Sequence, residues 1–224
     1  TAYALEPNAK ESPGGLRDLQ TIRWVAHAAG LGSSWRALAA SGLATAYEAQ
    51  QLERNEAVLL LIRARLHAIA GRREDRLGFD LQTAVAESFG YQSVTEGGAR
   101  LPMRASETLM RRYYWAAKAV SQLTQLLLLN IEERLNPAQT PPRRINERFF
   151  DKGGMIEVAS DDLYQRDPHA ILETFLLFQS SAALQELSAR TLRALYAARG
   201  VMNSAFRRDP VNHAAFLRIL QQPA

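Results

Sequence analysis

The chain has 224 residues, 47% of them hydrophobic and 22% charged, which suits one substantial domain or one domain with parts of its neighbours. No apolar run approaches the ~18 residues of a membrane-spanning helix, and the absence of cysteine excludes disulfides, thiolate zinc sites and cysteine nucleophiles. The formal charge of +4 and pI of about 9.6 are almost wholly arginine, since lysine occurs only at 10, 118 and 152, and so modest an excess spread along the chain is weak evidence for a nucleic-acid-binding helical protein.

The first stretch, Thr1 to Pro13, is irregular and runs into the turn-forming Ser12-Pro13-Gly14-Gly15. Leu16, Leu19, Ile22 and Ala26 then recur at helical spacing up to Gly30 and Gly32. The same spacing leaves open whether 16 to 20 is helix or the last strand of a sheet. A short helix follows, capped by Ser33 or Ser34 and ended at Gly42. Thr45-Ala46-Tyr47-Glu48 has the form of a capping box and opens a long helix whose apolar face is Leu52, Leu59, Ile62, Leu66 and Ile69, with Gly71 closing it. Asp80 is expected to cap a helix from Leu81 to Phe89.

Residues 92 to 102 form a polar loop, and Pro102 is placed in the first turn of the longest helix, running to about Leu135. Its positions Leu109, Tyr113, Ala116, Val120, Leu123 and Leu127 alternate spacings of four and three, the seam of an antiparallel bundle. Tyr113-Tyr114-Trp115 and Leu126 to Leu129 are expected to be core. After Asn136-Pro137 and Pro141-Pro142 the pattern changes. Ile145, Phe149, Phe150, Met155, Ile156 and Val158 flank Lys152-Gly153-Gly154 as a β-hairpin over about 144–159. Asp167-Pro168 introduces a helix from Ala170 to Phe178, Ser188 one to Arg199, and Asp209-Pro210 the last, to Leu220. The fold expected is all-α: a bundle of long antiparallel helices with a small β-hairpin insertion.

Candidate chemistry is concentrated in few places. Gly14-Gly15 permits close backbone approach to a phosphate or to another chain, with Arg17 and Asp18 offering a cation and a metal-binding carboxylate beside it. An alternative for Asp18 is a plain ion pair or helix cap. Arg72, Arg73 and Arg76, interleaved with Glu74 and Asp75, read either as a phosphate contact or as an ion-pair network fixing a corner. His27, His67, His169 and His213 have no partner at metal-site spacing, so no chemistry is assigned to them.

Three stretches carry a family resemblance. Lys10 to Thr21, KESPGGLRDLQT, closely resembles the segment that follows the catalytic core in the uridylyltransferases acting on the PII nitrogen-signalling protein. Gly71 to Gln82, GRREDRLGFDLQ, and Asp167 to Phe178, DPHAILETFLLF, are similar to later stretches of that family, in the same order and spacing. The resemblance spans about residues 6 to 221. It implies a cytoplasmic bifunctional parent with a nucleotidyltransferase domain, a helical domain, a metal phosphohydrolase of HD type and two small ligand-sensing domains. Such a parent moves UMP from UTP to a tyrosine of PII with Mg²⁺.

On that resemblance, residues 1–30 are the tail of the nucleotidyltransferase domain and 31–222 the helical domain. Asp18 falls where related nucleotidyltransferases place a third metal-facing carboxylate, making it the catalytic and metal candidate. Gly14, Gly15, Arg17 and Arg76 are the substrate-binding candidates. The chain departs from the full pattern: it has no G-S loop followed by paired aspartates, its adjacent acids Asp161-Asp162 lie after the hairpin, and no His-Asp dipeptide occurs. Alone it is expected to be inactive and to hold no tight cofactor. The expected partners are PII, UTP through the parent and the flanking domains. A non-catalytic docking module for PII is the alternative, while the related adenylyltransferases share only the Gly14–Asp18 region. Without a charged start and an apolar core no signal peptide is expected, and a beginning in mid-pattern at Thr1 suits an excised or processed chain.

Overall fold

The computed structural model describes residues 4–92, 104–137 and 139–222. They form two compact units, Thr1–Ile131 and Glu132–Ala224. Contacts within this chain divide it inside a helix, away from residue 30.

The first unit contains α1 (Leu16–Ala28), α2 (Trp35–Ala40), α3 (Ala46–Ala70), α4 (Phe79–Ser88) and most of α5 (Ala105–Leu135). Local sequence signals set several of these ends. Ser34 accepts the Ala37 N–H at the start of α2. Thr45 and Glu48 close a reciprocal capping box on α3, and Gly71 ends that helix at φ +64°, where an L side chain would be strained. Segment 16–20, left open between helix and strand, is helix. α3 packs against α1, α2 and α4. Leu52, Leu59, Ile62 and Leu66 of α3, Leu19 and Ile22 of α1, and Leu109, Tyr113, Val120 and Leu127 of α5 fill one core.

Two local expectations fail here. Asp80 does not cap α4: the N-cap is Gly78 and has no side-chain bond, while the Phe79 N–H is taken 2.9 Å away by the Glu6 carboxylate. A residue 73 positions away thus supplies the cap, which no local spacing reveals. The aromatic run on α5 is split: Tyr113 is 1% exposed but Trp115 is 70% exposed, because helical residues two positions apart point about 200° apart. Leu126 and Leu127 are buried, whereas Leu128 is 39% exposed. Pro102 lies outside the described residues.

The second unit is built round a sheet. β1 (Arg143–Arg144), β2 (Phe149–Lys152), β3 (Met155–Val158) and β4 (Glu186–Leu187) lie in that order. β2 and β3 form the expected hairpin, turning at Gly153-Gly154 with Phe149 opposite Val158. β4 adds in parallel to β3, a long-range pairing the sequence reading did not contain. Around the sheet stand α6 (Leu163–Arg166), α7 (Ala170–Ser180), α8 (Ala189–Ala197), a 3₁₀ turn at Ala198–Val201, α9 (Ser204–Arg208) and α10 (Pro210–Gln221). Phe149, Ile156, Val158, Tyr164 and Ile171 share this unit's core, so the hairpin is a core element here. Ser188 and Asp209 are caps as expected, with Pro210 opening α10. Asp167 is not a cap: α7 starts after His169, and Asp167 pairs instead with Arg148.

The chain is therefore mostly helical, as expected, with a four-stranded sheet where a hairpin was expected, and few of its helices are long. Among the described residues only α3, with 25 residues, and α5, with 31, exceed 13.

Candidate functional site

Residues 5–15 form a tightly bonded loop leading into α1, whose first residues, Leu16 to Asp18, are bonded back to it. Asn8 organises it: its Oδ1 accepts the N–H groups of Lys10 and Glu11, and its own N–H donates to Ser12 Oγ at 2.9 Å. The Leu16 N–H then bonds the Ala9 carbonyl and the Arg17 N–H the Lys10 carbonyl. Gly15 donates to the Ser12 carbonyl at 2.8 Å, and Gly14 donates to Asp18 Oδ2 at 2.7 Å. Every backbone N–H from Gly14 to Asp18 is thus engaged inside the loop. Asp18 fixes the turn through one oxygen, and its Oδ1 accepts no hydrogen bond among the described residues.

Steric need explains the glycine pair. Gly14 has φ +77°, and a Cβ there would lie 2.0 Å from the Ala117 carbonyl oxygen of α5. A Cβ on Gly15 would fall 2.7 Å from the Lys10 carbonyl oxygen. The close approach these glycines allow is to the chain's own helix and loop.

The loop and the Gly71–Gln82 stretch, far apart in sequence, are one structure. Asn8 bridges Arg76 in antiparallel fashion, Ala9 N–H donates to the Asp75 carbonyl at 2.7 Å, and Leu77 N–H to that of Pro7 at 2.8 Å. Buried Gln82 donates to the carbonyls of Leu5 and Leu77, both at 2.9 Å. Tyr113, whose burial pushes its phenol up to about 12, stays a donor and reaches the Asn8 carbonyl at 3.4 Å. Tyr114 donates to the Ala4 carbonyl.

The candidate arginines do not converge on one point. Arg17 forks onto Glu11 at 2.8 and 3.2 Å, and Arg76 pairs with Glu6 at 2.7 Å. The Phe79 N–H and then the Arg76 guanidinium hold the Glu6 carboxyl below its ordinary range, and Arg17 does the same for Glu11. Arg72 pairs with Glu74. Asp75 is drawn down first by Arg63, at 2.5 Å, and then by His67, at 3.1 Å. This corner is the ion-pair network that the interleaved charges allowed. Among the described residues, no group of three or more His, Asp or Glu side chains could hold a metal ion, and Asp161 and Asp162 are paired with Arg190 and Arg166. Asp18 therefore offers a single carboxylate, not a metal site.

The sequence reading missed a second place. On the opposite face of α5, a cavity of about 340 Å³ is lined by Asn55, Tyr91, Thr108, Arg111, Arg112 and Trp115 among others. The i, i+3, i+4, i+7 spacing of Thr108, Arg111, Arg112 and Trp115 was the signal available for it.

Similarity to known proteins agrees with the motifs. Residues 1–128 match the family model described as GlnD PII-uridylyltransferase, and residues 149–224 match that of the uridylyltransferase GlnD third domain. The chain is 60% identical, over its whole length, to proteins named bifunctional uridylyltransferase/uridylyl-removing enzyme from Cupriavidus metallidurans and Burkholderia pseudomallei, and to one of that name from Burkholderia mallei. It spans about a quarter of these relatives, 25% of the first and 26% of the others. No solved structure matches it. This chain belongs to the PII-uridylyltransferase family. Among the described residues no helix is long and apolar enough to cross a membrane.

Proposed function

We propose that this chain is the helical, substrate-side and linking part of a bifunctional PII uridylyltransferase, whose parent moves UMP from UTP to a tyrosine hydroxyl of PII. The observation that carries the reading is the Gly14–Asp18 turn, clamped to α5 through Ala117 and to the Arg76 corner through Asn8. A turn so fixed presents one carboxylate oxygen in a constant direction, which is what preorganised catalysis needs. Asp18 is the proposed third metal-facing carboxylate, its companion ligands coming from the parent's nucleotidyltransferase domain. Magnesium held there would offset phosphate charge and activate the attacking oxygen. Gly14 and Gly15 shape the turn. Arg17 and Arg76, 42% and 64% exposed, are the cations at its edge that can exchange a carboxylate for a substrate phosphate.

The test is Asp18→Asn in the intact parent enzyme. Asparagine keeps an oxygen for the Gly14 N–H, so the fold stays, while UMP transfer to PII falls by orders of magnitude. Unchanged transfer would remove Asp18 from the chemistry.

A docking role for PII without nucleotide handling is the second reading. Trp24 and Phe79, 61% and 60% exposed, favour it, since exposed aromatics are enriched at protein interfaces. Capture of PII by the chain, indifferent to UTP and to Asp18→Asn, selects this reading; no capture rejects it.

A further inference from the structure

The cleft between α3 and α5 has the chemistry of a ligand site, and it is separate from the Gly14–Asp18 turn. Thr108, Arg111, Arg112 and Trp115 share one face of α5, whereas Tyr113, Tyr114 and Ala117, on which residues 4–14 rest, share the other. A helix about 10 Å thick therefore lies between the two places.

Its guanidiniums are held by rings rather than by acids. Arg111 lies over Trp115, 5.6 Å from the ring centre, and Arg112 lies 5.3 Å from the centre of Phe89 while donating to the Tyr91 hydroxyl at 2.6 Å. Arg65 covers Phe89 at 4.1 Å, with its Nε buried and without a hydrogen-bond partner. Phe89 stacks on Tyr91, ring centres 5.6 Å apart. Among the described residues none of these three arginines forms an ion pair; Arg17, Arg23, Arg63, Arg72 and Arg76 of the same unit each have a carboxylate, while Arg36, Arg54, Arg73 and Arg104, away from the cleft lining, also have none. A concentration of unneutralised guanidinium beside aromatic faces favours an anion that also has a planar part.

We infer that this cleft binds a nucleoside phosphate, its base on the exposed Trp115 indole and its phosphate on Arg111 and Arg112. Three details favour this class over a bare anion. The indole is 70% exposed, leaving it open to stacking. The Asn55 amide nitrogen is committed to the Gln51 carbonyl at 2.7 Å, which leaves its oxygen to accept from the N–H edge of a base. The cavity, about 340 Å³, is of a size to hold a mononucleotide. The inference does not depend on the role proposed for Asp18, and it gives the helical unit a ligand of its own.

The experiment is calorimetric titration of the 224-residue chain with UMP, AMP, uridine and inorganic phosphate. UMP and AMP are expected to bind saturably, with uridine and phosphate each at least about 10-fold weaker. Trp115→Ala and Arg111→Gln should each weaken UMP about 10-fold, the loss of one stacked base or one charge-assisted contact. Both side chains are exposed, so neither change should lower the melting temperature. Asp18→Asn should leave UMP affinity as it was. The inference is overturned if neither nucleotide binds saturably, or if phosphate binds as tightly as UMP and is indifferent to Trp115→Ala. Loss of binding in Asp18→Asn with Trp115→Ala silent would also overturn it, placing the nucleotide at the turn instead.

Discussion

Replacing Gly14 by alanine should cost far more than the same change at Gly71, and the difference measures how tightly the loop is pressed onto α5. Both glycines are left-handed, at φ +77° and +64°. A side chain in that region costs roughly 1–2 kcal/mol at either position. At Gly71 nothing lies within 4 Å of the added methyl, so the backbone term is all there is. At Gly14 the methyl would sit 2.0, 2.5 and 2.8 Å from the oxygen, carbon and Cα of Ala117, all backbone atoms that cannot rotate away. The loop or the helix must move, adding about 1–3 kcal/mol of overpacking. Gly14→Ala should therefore lose roughly 2–5 kcal/mol and Gly71→Ala roughly 1–2. Urea unfolding read by tryptophan fluorescence is the assay, because Trp24, Trp35 and Trp115 all lie in the first unit. On the role proposed for Asp18, Gly14→Ala in the parent enzyme should also depress uridylyl transfer, since moving the turn displaces that carboxylate. Equal destabilisation by the two substitutions would refute the close approach and its part in fixing Asp18.

Further outcomes are expected. Glu6→Ala should lower the melting temperature more than Arg76→Ala, because Glu6 holds both the guanidinium and the first N–H of α4; equal shifts would dismiss the long-range cap. Asp75 is depressed below its ordinary value by Arg63 and His67. Its contribution is thus complete above about pH 4, the ordinary aspartate range, and is lost as pH falls through the lower folded value. Asp75→Asn should flatten the acid limb of the first unit's stability curve, and an unchanged limb would contradict the pairing. In the second unit Thr191→Val should cost about 1–3 kcal/mol, since Thr191 Oγ1 accepts the buried Val158 N–H at 3.0 Å and donates to the Ile156 carbonyl. That unit has no tryptophan, so circular dichroism is the probe, and a neutral result would mean that both backbone groups find other partners.

The sequence by itself determined what is settled within a few residues. Ser34, Thr45 with Glu48, Ser188, and Asp209 with Pro210 act on N–H groups two or three positions away, so their spacing sufficed. The helical period of α3 and α5 and the Lys152-Gly153-Gly154 turn were legible for the same reason. The motifs of the loop and of Gly71–Gln82 carried the family; the glycine pair was read as an approach to a phosphate or another chain, whereas the atoms it comes close to are Ala117 and Lys10 of this chain. Only the tertiary structure decided which atoms those motifs meet. The α4 cap comes from Glu6, the parallel strand β4 comes from beyond α7, and Asp167 answers Arg148 in place of a helix end. Trp115 and Tyr113 are alike in sequence terms, two aromatics on one helix. Which faces the core depends on where α3 and residues 4–14 pack, and that is fixed by contacts between residues a hundred positions apart.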